Sequence, residues 1–261
     1  MTIGTAKPTP KELDAVHHHF INNLSIHDDY DAGKYESEAI SLLNQLFKKQ
    51  SALILCGGSG MYIDAVCKGF DALPRIDEKY RITLNSLFGE DGITALQTLL
   101  LEHDPDHYHN VDLNNPHRLI RALEITLATG TPYSAFRKGE VKTRNFKVIK
   151  IGLHTDRHSL YSRINQRVDR MMEEGLLEEA RTLYPFRELN ALRTVGYKEL
   201  FDHLEGKTSL PAAIELIKQN SRNFSKRQMT WFRKDKEIVW MDPSKEINLV
   251  AQILNQVHSA E

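Results

Sequence analysis

The sequence predicts an α/β protein built around a parallel sheet. An apolar run at 52–56 leads into the glycine loop Gly-Gly-Ser-Gly (57–60), and a helical pattern follows at 61–68. This order of strand, turn and helix is typical of parallel sheets, whose strands are joined by helices. Two more apolar segments, 146–154 and 238–241, are predicted as strands and are separated by helical sequence.

Helical patterns fill most of the remaining chain. The segment 36–48 repeats apolar residues at helical spacing, and two later helices have recognisable starts, Asn115 before Pro116 and Ser209 before Leu210. In chain order the predicted helices are 10–20, 36–48, 61–68, 78–105 with a break at Gly89–Gly92, 116–129, 159–175 with a second helix to Tyr184, 197–205, a long helix from Ser209, and a helix after the last strand.

The composition excludes few functions, but it limits the class of protein, the origin of any basic surface and the cellular compartment. The 261 residues suffice for one large domain or for one domain with an insertion, and 41% apolar with 26% charged residues is ordinary for a globular protein. Because the net charge is −1, a nucleic-acid-binding surface must come from local segregation of basic residues. Cys56 and Cys67 lie in apolar sequence and are predicted to be buried thiols in a reducing compartment. No apolar run has membrane-spanning length and no signal peptide is visible, which favours a cytoplasmic protein.

The glycine loop at 57–60 has two interpretations. Its backbone N–H groups, with a helix start behind them, suit an anionic ligand. It lacks the Gly-Lys-Ser/Thr ending of a nucleotide P-loop, and the full P-loop motif occurs nowhere in the 261 residues. The loop is therefore part of a phosphate-handling site or an ordinary tight turn, and its residues alone leave both open.

The long C-terminal helix carries a basic stripe. The stripe consists of Lys218, Arg222, Lys226 and Arg233. At about 100° per residue these positions lie within roughly 80° of one another. No Asp or Glu occurs between Lys218 and Lys234. The stripe faces an anionic ligand such as RNA, or it is a solvated basic surface.

Two arginines stand in the first turns of the helix that Asn115 begins. Arg118 and Arg121 oppose the helix dipole there, which contact with phosphate groups or bases would offset. The alternative is an ion pair, either Arg121 with Glu124 or Arg118 with Asp112.

Two further arginine motifs have the same kind of ambiguity. On one predicted helix Arg163, Arg167 and Arg170 share a face, and Asp169 could pair with one of them. In 192–198 an arginine precedes a glycine turn and could present its guanidinium to a phosphate group, or the turn is an ordinary exposed loop.

No metal site or nucleophilic triad is predicted. The histidines at 17–19 would point about 100° apart on a helix and could not share one ion. No Cys/His spacing for zinc, no Ser–His–Asp signal and no Gly-x-Ser-x-Gly elbow occurs.

Seven segments are specific as an ordered set. In chain order they are 3–9 (Ile-Gly-Thr-Ala-Lys-Pro-Thr), 18–22, 57–62, 115–124, 167–171, 193–198 and 226–233. Together they resemble the tRNA dimethylallyltransferases, also called tRNA isopentenyltransferases, along nearly the whole chain. The sequence departs from the family pattern at Asn22, where the family has Asp, and at His117, where it has Gln.

The resemblance implies a fold, a reaction and partners. A P-loop NTPase-like parallel-sheet core would comprise 1–76 and 141–261, and 77–140 would be a helical, tRNA-binding insertion domain. The reaction would move a dimethylallyl group from dimethylallyl diphosphate to the exocyclic amine of the adenosine 3′-adjacent to the anticodon of tRNA. The target base would be flipped out of its loop, Mg²⁺ would assist the diphosphate, and the protein would be a monomer.

The resemblance also implies roles for single residues. Arg167 would hold the diphosphate and stabilise the charge that grows on it, and Arg193 would act beside the reacting base. With Arg193, the implied tRNA contacts are Ser59, Arg81, His117, Arg118, Leu119, Ile120, Arg121, Thr194, Val195, Gly196, Tyr197, Lys198, Arg222, Lys226 and Arg233.

This sequence departs most from the family pattern at its start. The family begins with a strand, a P-loop and Ser-Ala-Asp, whose Asp takes the proton from the amine, and the printed sequence starts a few residues after these. The expectation is an enzyme recorded without that N-terminal segment, which would also contain the Mg²⁺ ligand. The alternatives are a catalytically incompetent tRNA-binding remnant and, from the α/β pattern alone, a nucleotide kinase-like fragment.

Overall fold

The protein is an α/β chain that is mostly helical. The computed structural model describes residues 1–139, 141–245 and 248–258. Within these ranges, β1 (Ile151–Leu153) and β2 (Val239–Met241) form a two-stranded parallel sheet. The α/β class and the parallel pairing agree with the sequence prediction, although both strands are shorter than predicted.

Helices account for most of the described residues. In chain order they are α1 (Pro10–Ala15), α2 (Ala32–Leu46), α3 (Gly60–Cys67), α4 (Glu78–His103), α5 (Pro105–Tyr108), α6 (Pro116–Thr129), α7 (Tyr133–Phe136), α8 (Arg157–Glu173), α9 (Leu176–Leu183), α10 (Tyr197–Leu204), α11 (Leu210–Phe232) and α12 (Leu249–His258), with 3₁₀ turns at Ile3–Thr5, Tyr184–Phe186 and Asn190–Leu192. In the described part of the chain, no helix is both long enough and apolar enough to cross a membrane.

Capping residues set several helix boundaries as predicted. The Asn115 side chain accepts a hydrogen bond from the backbone N–H of Arg118 at 3.3 Å and begins α6. Ser209 caps α11 through the N–H of Ala212 at 3.4 Å. The predicted break in α4 lies at Gly92, where φ is +73° and a residue with a side chain would be strained.

The predicted strand at 52–56 is wrong. This run forms no strand, and Ile54 is 96% exposed. Because β1 and β2 pair only with each other among the described residues, the run has no neighbouring strand to complete its backbone hydrogen bonds. The predicted burial of both thiols is also wrong, since Cys56 is exposed and Cys67 is half-buried.

The first predicted helix ends earlier than expected. Helix α1 stops at Ala15, and Val16 has extended backbone. The histidines at 17–19 therefore lie outside the helix, and the argument that helical spacing separates them does not apply.

The chain divides into two compact units. Unit 1 comprises 1–35, 46–63 and the described residues from 146 onward, and unit 2 comprises 36–45 and the described residues of 64–145. The predicted domain boundaries remain a prediction.

Each unit has its own apolar core. In unit 1, helices α8 to α11 pack together, and their fully buried residues include Leu176, Leu192 and Leu200. In unit 2, α4 packs along α6 around Leu96 and Leu123, which are also fully buried. These cores hold fixed the helix faces that carry the candidate site residues.

Candidate functional site

The glycine loop packs closely on the C-terminal part of α11. Gln228 donates a hydrogen bond from Nε2 to the carbonyl oxygen of Gly58 at 2.9 Å. A Cβ at Gly58 would lie 2.2 Å from Gln228 Nε2, and one at Gly60 would lie 2.4 Å from the Trp231 ring. These two glycines are required because the backbone approaches α11 closely, and exposed Ser59 is held beside that helix.

Replacing Gly60 with alanine should lower the free energy of unfolding by about 1–3 kcal/mol, because the indole of Trp231 or the loop must shift. Gly57→Ala is the matched control, since a Cβ there would meet only Ile63 Cδ1 at 3.9 Å. Chemical denaturation of both variants measures the difference. Equal stability of the two variants would contradict the close packing.

The basic stripe on α11 is divided between paired and unpaired side chains. Lys218 Nζ lies 2.7 Å from Asp169 of α8, and Arg222 Nη1 donates to Asn165 Oδ1 at 2.6 Å. The side chains of Lys226 and Arg233 are exposed and make no hydrogen bond or ion pair with any described residue. Ligand contact is therefore not favoured at Lys218, because its ammonium group is paired with Asp169 of α8 and also with Glu215, three residues earlier on α11, at 3.1 Å.

Helix α8 presents an arginine face without acidic partners. Asp169, the predicted partner for one of these arginines, pairs with Lys218 instead. Arg163, Arg167 and Arg170 are exposed, and within the described ranges their side chains have no ion-pair or hydrogen-bond partner. The three positions fall within about 60° on the helix, so the face attracts an anion.

The turn that begins at Arg193 is anchored to the protein interior by a buried carboxylate. Glu199 accepts a hydrogen bond from the N–H of Gly196 at 2.8 Å and another from Asn220 Nδ2 of α11 at 2.7 Å. Gly196 has φ +105°, which favours glycine. Arg193 is 65% exposed, and its Nη2 lies 3.6 Å from the exposed Glu188, a weak surface pair. The guanidinium therefore remains accessible on an anchored turn.

The residues of this turn differ in exposure. Thr194 and Lys198 are exposed, and Val195 is half-buried. Tyr197 is fully buried, so its predicted contact with tRNA cannot be made by its side chain in this structure. Its ring packs in the core of unit 1 and its hydroxyl is bonded inside the protein.

That hydroxyl belongs to a network centred on Glu179. The carboxylate accepts hydrogen bonds from the N–H groups of Thr2 at 2.8 Å, Ile3 at 3.0 Å and Gly4 at 3.1 Å, and from the Tyr197 hydroxyl at 2.5 Å. Burial raises the pKa of Glu179, but these hydrogen bonds outweigh burial and hold the pKa below its ordinary value. The network ties the N-terminal segment to the start of α10.

Unit 2 carries the remaining predicted contacts, on α4 and α6. Arg81 bonds Glu124 through two nitrogens, Nε at 2.8 Å and Nη2 at 3.0 Å, and this interaction raises the pKa of Arg81. Arg121 also bonds Glu124, so one of the two predicted ion pairs is present. Arg118 makes no ion pair among the described residues and is exposed, as is His117.

Two predicted tRNA contacts in unit 2 are buried. Leu119 is 0% and Ile120 is 5% exposed, and both pack in the core between α4 and α6. Side-chain contacts of these two residues with tRNA are not possible in this structure, because the helix turns them inward while it turns Arg118 and Arg121 outward.

Helix α11 brings the predicted motifs of unit 1 together. It contacts the glycine loop through Gln228, α8 through Arg222 and the Arg193 turn through Asn220. Sequence reasoning missed the two carboxylates behind these motifs, Glu179 and Glu199. Glu199 lies three residues after Gly196, the spacing of a capping box, and could have been found by it.

No metal centre is apparent in the described part of the chain. No group of three or more His, Cys, Asp or Glu side chains within 1–139, 141–245 and 248–258 could hold a metal ion. The expectation about metal ligands stays a prediction.

Comparison with known proteins decides the family. The model of the IPP transferase family matches residues 1–235, which include all seven segments noted in the sequence. The chain belongs to the IPP transferase family. The resemblance to tRNA isopentenyltransferases is thereby confirmed for the family as a whole.

Members of the IPP transferase family match over most of their length. The tRNA dimethylallyltransferase 1 of Bacteroides thetaiotaomicron is 50% identical over 250 residues, covering 96% of this chain and 81% of the relative. The tRNA dimethylallyltransferase of Christiangramia forsetii is 53% identical over 242 residues, covering 93% of this chain and 80% of the relative. The crystal structure of a full-length tRNA isopentenylpyrophosphate transferase from Bacillus halodurans has a TM-score of 0.68 and 36% identity, covering 98% of this chain and 82% of that one.

Proposed function

We propose that the protein transfers a dimethylallyl group from dimethylallyl diphosphate to the exocyclic amine of the adenosine 3′-adjacent to the anticodon of tRNA. Family membership supports this reaction. The observation that carries it to particular residues is that α11 contacts the glycine loop through Gln228, the Arg193 turn through Asn220, and α8, the helix that carries Arg167, through Arg222.

The proposed reaction is a substitution at the allylic carbon. The bond between that carbon and the diphosphate oxygen breaks, a bond from the amine nitrogen to the same carbon forms, and the nitrogen loses a proton. The diphosphate leaves with the bonding electrons, so negative charge grows on it in the transition state. The chemistry needs cations near the leaving group, and a base removed from the stack of the anticodon loop.

Arg167 is the residue we assign to the leaving diphosphate. Its guanidinium is exposed and unpaired among the described residues, so no internal acid competes for it. It offers five N–H donors in a geometry that suits phosphate oxygens. The unpaired state therefore supports a role in binding a multiply charged anion.

Arg193 and its turn are assigned to the RNA near the reacting base. The turn is anchored from behind by Glu199, so Arg193, Thr194 and Lys198 present side chains from a fixed backbone. A fixed turn loses little conformational freedom when it binds, which favours selective contact with an extruded base. Lys226 and Arg233 of α11 would add contacts with backbone phosphates.

Further parts of the proposal rest on the family resemblance. They are a P-loop-like core, which the parallel pairing of β1 and β2 supports, a monomeric state and a cytoplasmic location. Mg²⁺ would offset charge on the diphosphate, but the described residues offer no group of three candidate ligands, so no step is assigned to it. The resemblance assigns the acceptor of the amine proton to the Asp of a Ser-Ala-Asp segment, which is not among the 261 printed residues.

The proposal is tested by measuring transfer of labelled prenyl groups. Purified protein is incubated with labelled dimethylallyl diphosphate, Mg²⁺ and an anticodon stem-loop RNA that has adenosine next to the anticodon. We expect label in this RNA and none in a matched RNA with guanosine at that position. Binding of both RNAs without transfer would favour the tRNA-binding remnant, and tight, phosphate-dependent ATP binding without RNA binding would favour the kinase-like alternative.

A further inference from the structure

Two half-exposed arginines in unit 2 share one buried carboxylate. Glu124 on α6 is 3% exposed, whereas the side chains of Arg81 and Arg121 are 53% and 41% exposed. Arg81 reaches the carboxylate from α4 with Nε at 2.8 Å and Nη2 at 3.0 Å, and Arg121 reaches it from the preceding turn of α6 with Nη1.

The geometry fixes both guanidinium groups while leaving donors free. A bidentate bond to a carboxylate sets the plane of the Arg81 guanidinium as well as its distance. Each guanidinium has five N–H donors, and only two of Arg81 and one of Arg121 are used by Glu124. Because both side chains are half-exposed, the unused donors are open to a ligand.

The charge of this cluster remains positive. The guanidinium groups of Arg81 and Arg121 face the Glu124 carboxylate, and the exposed Glu78 also acts on Arg81. Arg118, three residues before Arg121 on the helix, is exposed and unpaired among the described residues, so three positive charges stand against two negative ones. A purely structural ion pair between α4 and α6 needs only one arginine per carboxylate. The second arginine and the free donors suit a phosphate-rich ligand.

We propose that Glu124 is a positioning residue that orients Arg81 and Arg121 toward phosphate groups of the tRNA substrate. This inference rests on the proposed function. Glu124 is buried and does not itself touch the RNA. It fixes the two guanidinium groups relative to each other so that both can bind neighbouring phosphates. The alternative is that Glu124 only stabilises unit 2 and the arginines act as unpositioned charges.

If the arginines act only as charges, Glu124→Gln should have the opposite effect on RNA affinity from the one expected if Glu124 positions them. The substitution removes a negative charge, so unpositioned arginines would bind RNA as well as before or more tightly. If Glu124 positions them, the affinity for the anticodon stem-loop falls about tenfold, because ordered charge-assisted contacts are lost. The slope of log affinity against log salt concentration should decrease by the amount that corresponds to about one lost phosphate contact.

Glu78→Gln is the matched charge control. Glu78 is exposed in the first turn of α4, its charge acts on Arg81, and it makes no direct bond to that side chain. This variant adds the same unit of positive charge without breaking the two-nitrogen bond, so its RNA affinity should be unchanged or higher. Arg81→Lys complements it by keeping the charge and removing the bidentate geometry, and it should bind about as weakly as Glu124→Gln.

The readouts separate positioning from stability and from the proposed function. We expect the KM for RNA to rise in Glu124→Gln and Arg81→Lys, with kcat and the KM for dimethylallyl diphosphate near wild type. If Glu124→Gln does not fold, the RNA affinity of Arg81→Lys tests the inference by itself, since that substitution alters a half-exposed side chain. Wild-type affinity in a folded Glu124→Gln or in Arg81→Lys would overturn the inference, whereas failure of the wild-type protein to transfer prenyl groups would overturn the proposed function.

Discussion

Replacing Arg167 with glutamine should lower kcat for prenyl transfer by about a hundred- to a thousandfold. Glutamine keeps polarity at this exposed position of α8 but removes the charge that would meet the leaving diphosphate. Because that charge grows as the allylic carbon–oxygen bond breaks, the loss should appear in kcat more than in the KM for RNA. Single-turnover rates at saturating concentrations of both substrates measure the effect.

The control for this prediction is another arginine of unit 1. Arg181 on α9 is exposed, and its Nη1 is bonded to Glu178 at 3.0 Å. Arg181→Gln should transfer prenyl groups at the wild-type rate and unfold at nearly the wild-type temperature. An equal loss of rate in both variants would show that overall charge, and not Arg167, determines the rate.

Replacing Glu179 with alanine should lower the free energy of unfolding by at least about 3 kcal/mol, because four donors lose a charged acceptor. Three of these donors are backbone N–H groups at 2–4, which the network holds beside Tyr197. Tyr197→Phe removes one bond of the network and should cost about 1.5–3 kcal/mol. Glu178→Ala, at the exposed neighbouring position, should change stability by less than about 0.5 kcal/mol.

The stabilisation by Glu179 should depend on pH. Its pKa in the folded protein lies below the ordinary 4.5, so the contribution is complete above about pH 4.5 and is lost as the pH falls through the lower folded value. Burial and the bond to Glu179 raise the pKa of Tyr197 above the ordinary 10.0, so the tyrosine loses its contribution only as the pH rises beyond 10.0. Denaturation of wild type and Glu179→Ala at several pH values should therefore show a difference that narrows below pH 4.5. A difference that persists unchanged in acid would contradict the role of the carboxylate.

Local signals in the sequence predict helix starts and the glycine loop well. Asn115 and Ser209 cap the helices that they were expected to cap, because capping depends on residues within one turn. The same local reasoning failed at 52–56, because an apolar run becomes a strand only when a partner strand is present.

The parts of the candidate site that could not be predicted from the sequence are contacts between residues far apart in the chain. Glu179 meets Gly4 across 175 positions and Arg81 meets Glu124 across 43, distances over which no local pattern carries information. Sequence reasoning therefore identified the arginines of the site and left open whether they were paired. The structure pairs Arg121 and leaves Arg167 unpaired among the described residues.

The most direct test of the central claim is the nucleoside content of tRNA from cells that express the gene of this chain in place of their own tRNA dimethylallyltransferase. We expect isopentenyladenosine to appear in their tRNA at the position 3′-adjacent to the anticodon. We also expect the modification to fall sharply when the gene carries Arg167→Gln. Absence of isopentenyladenosine although the protein is folded and present would contradict the account.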